Sequence, residues 1–144
     1  ILFFFSDFCF MIQEKITLNV RYAETDQMGF VYYGNYAQYL ELGRVAAMKK
    51  VGISYRALEE EGIGLPVKSM NINYLKAARY DDEIKVVTTI QSMPTNRITF
   101  EYQIYREKEL LIEAETTLFF MSLESGRPIR PPKFFIDQMK EFFS

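Results

Sequence analysis

The run Asp26-Gln27-Met28-Gly29-Phe30-Val31-Tyr32-Tyr33-Gly34-Asn35-Tyr36-Ala37-Gln38-Tyr39-Leu40-Glu41-Leu42-Gly43-Arg44 sets one carboxylate just ahead of a helix start and a small residue in the helix interior. Asn35 offers an N-cap with Gln38 three positions on, a variant of the capping box, and Val51-Gly52 supplies a stop. A helix is expected between them. Its apolar stripe is Tyr36, Tyr39, Leu40, Gly43, Ala46 and Ala47, spaced for one helical face. Gly43 costs about 1 kcal/mol of helix propensity relative to Ala, and with Ala46 and Ala47 it lets a sheet approach the helix axis closely. The expectation is a long central helix pressed into a sheet.

The flanking sequence supplies that sheet. Ile16, Leu18, Val20 and Tyr22 alternate with Thr17, Asn19 and Arg21, the period of a half-buried strand that ends close to Asp26. After a short acidic helix over Ser54 to Glu61, closed by Gly62, the pattern turns to strands. Ile63, Leu65 and Val67 change phase relative to Met70, Ile72 and Tyr74, which predicts a bulge near Lys68-Ser69. Ile84, Val86, Thr88 and Ile90 alternate, and so do Ile98, Phe100, Tyr102 and Ile104 after the Pro94-Thr95-Asn96 turn. Leu110, Ile112, Ala114, Leu118 and Phe120 complete an antiparallel meander. Pro131-Pro132 then lead into a short helix carrying Phe134, Phe135, Met139, Phe142 and Phe143.

At 144 residues, with 49% hydrophobic side chains, the chain can bury the core of one domain, and no linker or repeat suggests a second. Residues 1–10, with five Phe, differ in composition from the remainder of the chain and read as an extraneous or upstream leader, leaving 11–144 as a single domain. The leader is too short to span a bilayer and lacks a signal peptide's basic flank. A net charge of −2 gives no broad basic field, which argues against nucleic acid. The single Cys9 excludes a disulfide framework and fits a cytoplasmic setting; without histidine or further cysteine a zinc site is excluded.

The absence of histidine also removes Ser-His-Asp and Cys-His relays, and leaves Ser54, Ser69 and Cys9 without a base. Asp26 is the remaining candidate. A helix N-terminus presents unpaired N–H groups and a partial positive charge, so a carbonyl held there is polarised while Asp26 acts on it. Spacing alone also allows Asp26 to be a turn or capping residue. Glu41 is the rival carboxylate, but Arg44 at i+3 explains it as an intrahelical ion pair. Asp81-Asp82-Glu83 reads as a solvated turn before it reads as a cation site, so no metal is expected.

One strand, a long helix and four further strands, with Thr25-Asp26-x-x-Gly29-x-Val31-x-Tyr33-x-Asn35-Tyr36, Glu41-x-x-Arg44 and Tyr74-Leu75-Lys76-Ala77-Ala78-Arg79-Tyr80-Asp81-Asp82-Glu83, resemble the hotdog-fold acyl-CoA thioesterases. The resemblance is to the 4-hydroxybenzoyl-CoA and Tol-Pal-associated thioesterase group and covers nearly everything from Ile16 to Phe143. It implies an α+β hotdog fold, a five-stranded antiparallel sheet wrapped around one long helix, with a short C-terminal helix. It also implies hydrolysis of acyl-CoA to free acid and coenzyme A. The position matching Asp26 is the family's catalytic carboxylate, as nucleophile or base, and the backbone N–H matching Tyr33 binds the thioester oxygen. Many Tol-Pal-type members carry histidine where this chain has Tyr33, whereas the 4-hydroxybenzoyl branch has tyrosine there.

A thiolate leaves readily, so thioester cleavage needs little acid assistance and suits a carboxylate without histidine. Gly29 and Gly34 fit the tight backbone at the substrate; Tyr32, Tyr33, Tyr36 and Tyr39 either line an aromatic-acyl or short aliphatic pocket, with Tyr32 and Tyr36 as the named substrate contacts, or pack in the core. Coenzyme A enters only as part of the substrate. Its phosphates need cations, for which Lys76, Arg79 and Arg127 are the first candidates and Arg97, Arg130 and Lys133 the reserve. A hotdog dehydratase is disfavoured by the lack of histidine, and a non-catalytic acyl-CoA-binding or scaffold protein is the alternative. The family's edge-to-edge pairing implies a homodimer or tetramer, with no membrane insertion.

Overall fold

The structure is a computed structural model and describes residues 11–143. The leader assigned to residues 1–10 lies outside the described residues. The chain runs through β1 (Ile12–Asn19), 3-10 turns at Tyr22–Glu24 and Tyr33–Asn35, α1 (Tyr36–Lys50), α2 (Tyr55–Glu60), β2 (Ile63–Gly64) and β3 (Val67–Tyr74). It continues through β4 (Glu83–Ile90), β5 (Arg97–Arg106), β6 (Glu109–Phe119), β7 (Met121–Ser122) and α3 (Lys133–Phe143). Five strands form one antiparallel sheet in the order β1-β4-β5-β6-β3, and β2 pairs with β7 in a separate ribbon. This is the α+β arrangement expected, with α1 laid across the sheet. Among the described residues no helix is long and apolar enough to cross a membrane.

The inward side chains of the alternating strands meet α1. Ile84, Val86, Ile98, Phe100, Ile104, Ile112 and Leu118 are buried beneath Tyr36, Tyr39, Leu40, Gly43 and Ala47. Gly43 is where helix and sheet come closest: a Cβ added there would lie 2.3 Å from Thr88 Oγ1 and 2.9 Å from Val86 Cγ1. The stripe differs from expectation at one end. Ala46 is half-buried, and Met48 is buried instead, because the chain turns back over it and the Ile53 N–H donates to the Met48 carbonyl at 3.0 Å.

Three local expectations are corrected. Asn35 does not cap α1 with its side chain: it is helical itself (φ −74, ψ −18), because the 3-10 turn runs straight into the helix. The expected run from Ile63 through Val67 is interrupted at Pro66, which has no N–H for a ladder. Ile63–Gly64 therefore pairs with β7 while β3 pairs with β6, with the bulge between Val67 and Ser69 where the change of phase placed it. Glu41 and Arg44 form no ion pair among the described residues. Arg44 instead lies near the phenols of Tyr55 and Tyr102. Burial drives the Tyr55 pKa up to about 12, and the Arg44 charge opposes that rise.

Edge strand β3 is exposed along most of its length. Val67, Met70 and Tyr74 are 42%, 49% and 50% exposed. At the other end of the chain, α3 buries Phe135 and Met139, with the Phe135 ring edge-on to Phe120 at 4.7 Å.

Candidate active site

Asp26 lies in a tight loop closed by the Thr25–Val31 bridge. Its N–H donates to the Phe30 carbonyl at 2.7 Å, and its carbonyl accepts from the Gly29 N–H at 3.1 Å. Gly29 has φ +83, a conformation that a side chain resists, so the loop can close this tightly only with glycine there. The two carboxylate oxygens are used differently. Oδ1 accepts from the N–H groups of Met28 at 2.9 Å and Phe30 at 3.1 Å, while Oδ2 has no hydrogen-bond donor among the described residues. The turn role is therefore present in this half-buried side chain and uses one oxygen: Oδ1 holds the loop and Oδ2 does not.

The loop is tied to the helix start. The Val31 N–H donates to the Ala78 carbonyl at 2.9 Å, and the Tyr32 N–H and Asn35 Nδ2 both donate to the Glu24 carbonyl, at 2.9 and 2.8 Å. The N–H groups of Tyr33 and Gly34 open the 3-10 turn and have no acceptor within it, as the first donors of any helix do. They sit at the positive end of the α1 dipole. Tyr33 is 64% exposed, its ring 4.6 Å from that of Tyr32, and its carbonyl accepts from the Tyr74 hydroxyl at 3.3 Å. Gly34 lies under the Tyr32 ring, 2.8 Å from where its Cβ would be.

Tyr36 was expected among the substrate contacts. Instead it is 2% exposed, and its hydroxyl accepts from the Ala78 N–H at 3.0 Å, so it supports the site from beneath. Burial raises its pKa. The cations divide into separate groups. Arg79 stacks its guanidinium over Phe30, 4.4 Å from the ring centroid, beside the Asp26 loop. Lys76 is held by Glu109 at 2.6 Å, and Arg106 bonds both Glu109 and Asp82, the latter at 2.7 Å. Those hydrogen bonds, from Lys76 first and Arg106 second, pull the Glu109 pKa down. Asp82 also accepts from the Arg79 N–H at 2.8 Å, so the acidic turn serves an ion-pair network. Among the described residues no group of acids, cysteines and histidines is arranged to hold a metal.

Arg127 lies at the far end of β6 from Lys76. The Lys76 N–H bonds the Leu111 carbonyl near the start of β6, whereas the Arg127 carbonyl accepts from the Ser122 N–H in β7, beyond the other end of β6. Near that far end Arg97 and Arg130, with Lys68, line a concavity of ≈ 400 Å³ together with Asn96, Phe119, Pro128 and Ile129. None of the three cations has an ion-pair partner among the described residues. Lys68, read from the sequence only as part of the bulge, lies at the start of β3 and was not among the expected cations. Lys133 pairs with Asp137 at 2.6 Å. A second concavity, ≈ 480 Å³, lies on the outer sheet face among Gln13, Thr89, Glu101 and Glu115, away from Asp26.

Residues 20–139 match the model of the thioesterase-like superfamily. The chain belongs to that family. Among its relatives is the putative acyl-CoA thioesterase YneP of Bacillus subtilis, 39% identical over 124 residues, which are 85% of this chain and 90% of the relative. The acyl-CoA thioester hydrolase YbgC of Escherichia coli is 30% identical over 86% of this chain and 93% of its own length. The crystal structure of DHNA-CoA thioesterase from Staphylococcus aureus superposes with a TM-score of 0.85 at 35% identity, covering 91% of this chain and 89% of that one. The thioesterase-like fold thus accounts for the architecture, in which the segment of Asp26 leads directly into the start of α1.

Proposed function

We propose that this chain hydrolyses acyl-CoA thioesters to free acid and coenzyme A. The observation that carries the reading is the division of labour within Asp26, one oxygen locked into the loop and the other free, on a segment bonded to the start of α1. The names of the relatives support the substrate class. The thioester carbonyl oxygen takes the N–H groups of Tyr33 and Gly34, where negative charge develops. The free Asp26 oxygen either adds to the carbonyl carbon or takes a proton from a water that adds there. In both routes the C–S bond breaks, coenzyme A leaves as a thiolate and solvent protonates it; when Asp26 adds, water then hydrolyses the mixed anhydride.

The working unit in this reading is at least a homodimer. Exposed Val67, Met70 and Tyr74 on β3, with its unpaired edge, are covered if two copies join their sheets antiparallel at β3. Such pairing sets the Tyr74 end of one strand, which reaches Tyr33, beside the Lys68 end of its partner. The pocket of Lys68, Arg97 and Arg130 then stands near the partner's Asp26 loop, with Arg127 in the same loop as Arg130, and suits the coenzyme A phosphates better than Lys76, which is held by Glu109. Arg79, beside Phe30, remains within reach of the reacting end. A cytoplasmic setting fits the cysteine usage and the substrate.

Thiol release measured across a panel of aromatic and short aliphatic acyl-CoA substrates tests the activity. Tight binding without release would favour the non-catalytic reading instead. Arg97→Ala and Arg130→Ala should each raise KM about tenfold with kcat little changed, the loss of one charge-assisted contact. An unchanged KM would remove this pocket from substrate binding. Met70→Asp should convert a dimer to monomers in light scattering; a wild-type protein already monomeric would sink the edge-pairing model.

A further inference from the structure

Asp26 and the helix-start donors belong to segments that do not bond each other directly through their reacting groups, yet a reaction of this kind tolerates little error in their spacing. Glu24 stands two positions before Asp26 in the chain and is hydrogen-bonded to the helix-start side. It is the buried carboxylate of the described residues, 7% exposed in a stretch whose neighbours Arg21 and Tyr22 are exposed. Its Oε1 accepts from the Arg21 N–H at 2.8 Å and from the Tyr39 hydroxyl at 3.0 Å, and its Oε2 accepts from the Arg21 guanidinium at 3.3 Å. Its carbonyl takes the Tyr32 N–H and the Asn35 amide.

A buried carboxylate costs several kcal/mol in lost hydration unless its oxygens are well bonded, and an apolar replacement of similar volume often serves stability as well. What an apolar residue would not supply is a fixed distance. Tyr39 stands in the first turns of α1, so its bond to Glu24 references the loop to the helix itself. Burial, and then the Glu24 hydrogen bond, raise the Tyr39 pKa, which keeps that hydroxyl a donor throughout the neutral range.

We infer that Glu24 is a positioning residue for thioester cleavage: through its side-chain bonds to Tyr39 and Arg21 it holds in place the segment whose backbone carbonyl takes Tyr32 and Asn35, and so sets the spacing between the Asp26 carboxylate and the N–H groups of Tyr33 and Gly34. The inference rests on the hydrolase reading above. It does not require Glu24 to touch substrate, and neither Glu24 nor Tyr39 is placed on the reacting atoms.

The test is steady-state thiol release by the full chain, with thermal melting and calorimetric binding of free coenzyme A measured on the same samples. Tyr39→Phe, which removes one hydroxyl and keeps the ring, should lower kcat about tenfold while KM and free coenzyme A binding stay within twofold. Glu24→Ala should lose a hundredfold or more in kcat, and Glu24→Gln, which keeps an acceptor for Tyr39 and the Arg21 N–H, should recover most of it. Folded Tyr39→Phe and Glu24→Ala proteins with kcat within twofold of wild type would overturn the inference. So would a loss of activity that only tracks the folded fraction. If the wild-type chain released no thiol from any acyl-CoA, the hydrolase reading itself would fall and take this inference with it, an outcome distinct from an active wild type with indifferent variants.

Discussion

Asp26→Asn should lower kcat for thiol release by about 10²–10⁴-fold while leaving the fold and coenzyme A binding intact. The reason lies in the two oxygens. An amide oxygen can still accept from Met28 and Phe30, so the loop that depends on Oδ1 survives. What disappears is the anion at the other position, which an amide NH₂ replaces with a donor that can neither attack a carbonyl carbon nor accept a proton from water. Melting temperature should therefore move little, and KM should change far less than kcat, the signature of an interaction made in the transition state. Asp26→Ala should lose activity and also loosen the loop, because both Oδ1 bonds go. Equal turnover by the Asn variant and wild type would refute the mechanism.

The largest effect on stability is expected at Gly43. Alanine there gains about 1 kcal/mol of helix propensity, yet its methyl would stand 2.3 Å from Thr88 Oγ1 and 2.9 Å from Val86 Cγ1. Both contacts are fully buried β-branched residues in a central strand, with no room to swing aside. Overpacking of this kind costs about 1–3 kcal/mol, and the shortness of the contact favours the upper half of that range. Gly43→Ala should thus lose about 1–2 kcal/mol net, a fall in Tm of about 3–6 °C for a chain this size. Thr88 Oγ1 is itself buried with no hydrogen-bond partner among the described residues. Adding Thr88→Ala to Gly43→Ala should accordingly recover much of the loss, since it removes the clashing atom and an unpaired polar group together. A single variant that melts at or above wild type would mean that helix and sheet are farther apart at this level.

Much of the fold was legible because its signals are local. Period-two alternation located the strands at Ile84–Ile90 and Ile98–Ile104, and the change of phase before Met70 located the bulge that β3 shows between Val67 and Ser69. The features that were not legible depend on residues distant in sequence. Asn35 reads as a cap until the Glu24 carbonyl, 11 positions back, is seen to take its side chain. Tyr36 reads equally as helix stripe and as pocket wall until Ala78, 42 positions on, donates to its hydroxyl. Lys76 looks free until Glu109 is found beside it. Glu24 stayed hidden for a different reason: a glutamate in a short polar stretch is ordinarily exposed, and only the fold turns this one inward. In the candidate site, then, the placement of Asp26 in a loop just ahead of a helix start was readable from the sequence, whereas the bonds that hold the two in place were not.

The contact at Gly43 also bears on which molecules the protein can accommodate. A seam with no space for one methyl group has none for a methylene chain, and Tyr36, Tyr39 and Leu40 fill the turns of α1 between that seam and Tyr33. A long tail starting at the helix tip could not run lengthwise beneath α1 as through a bore.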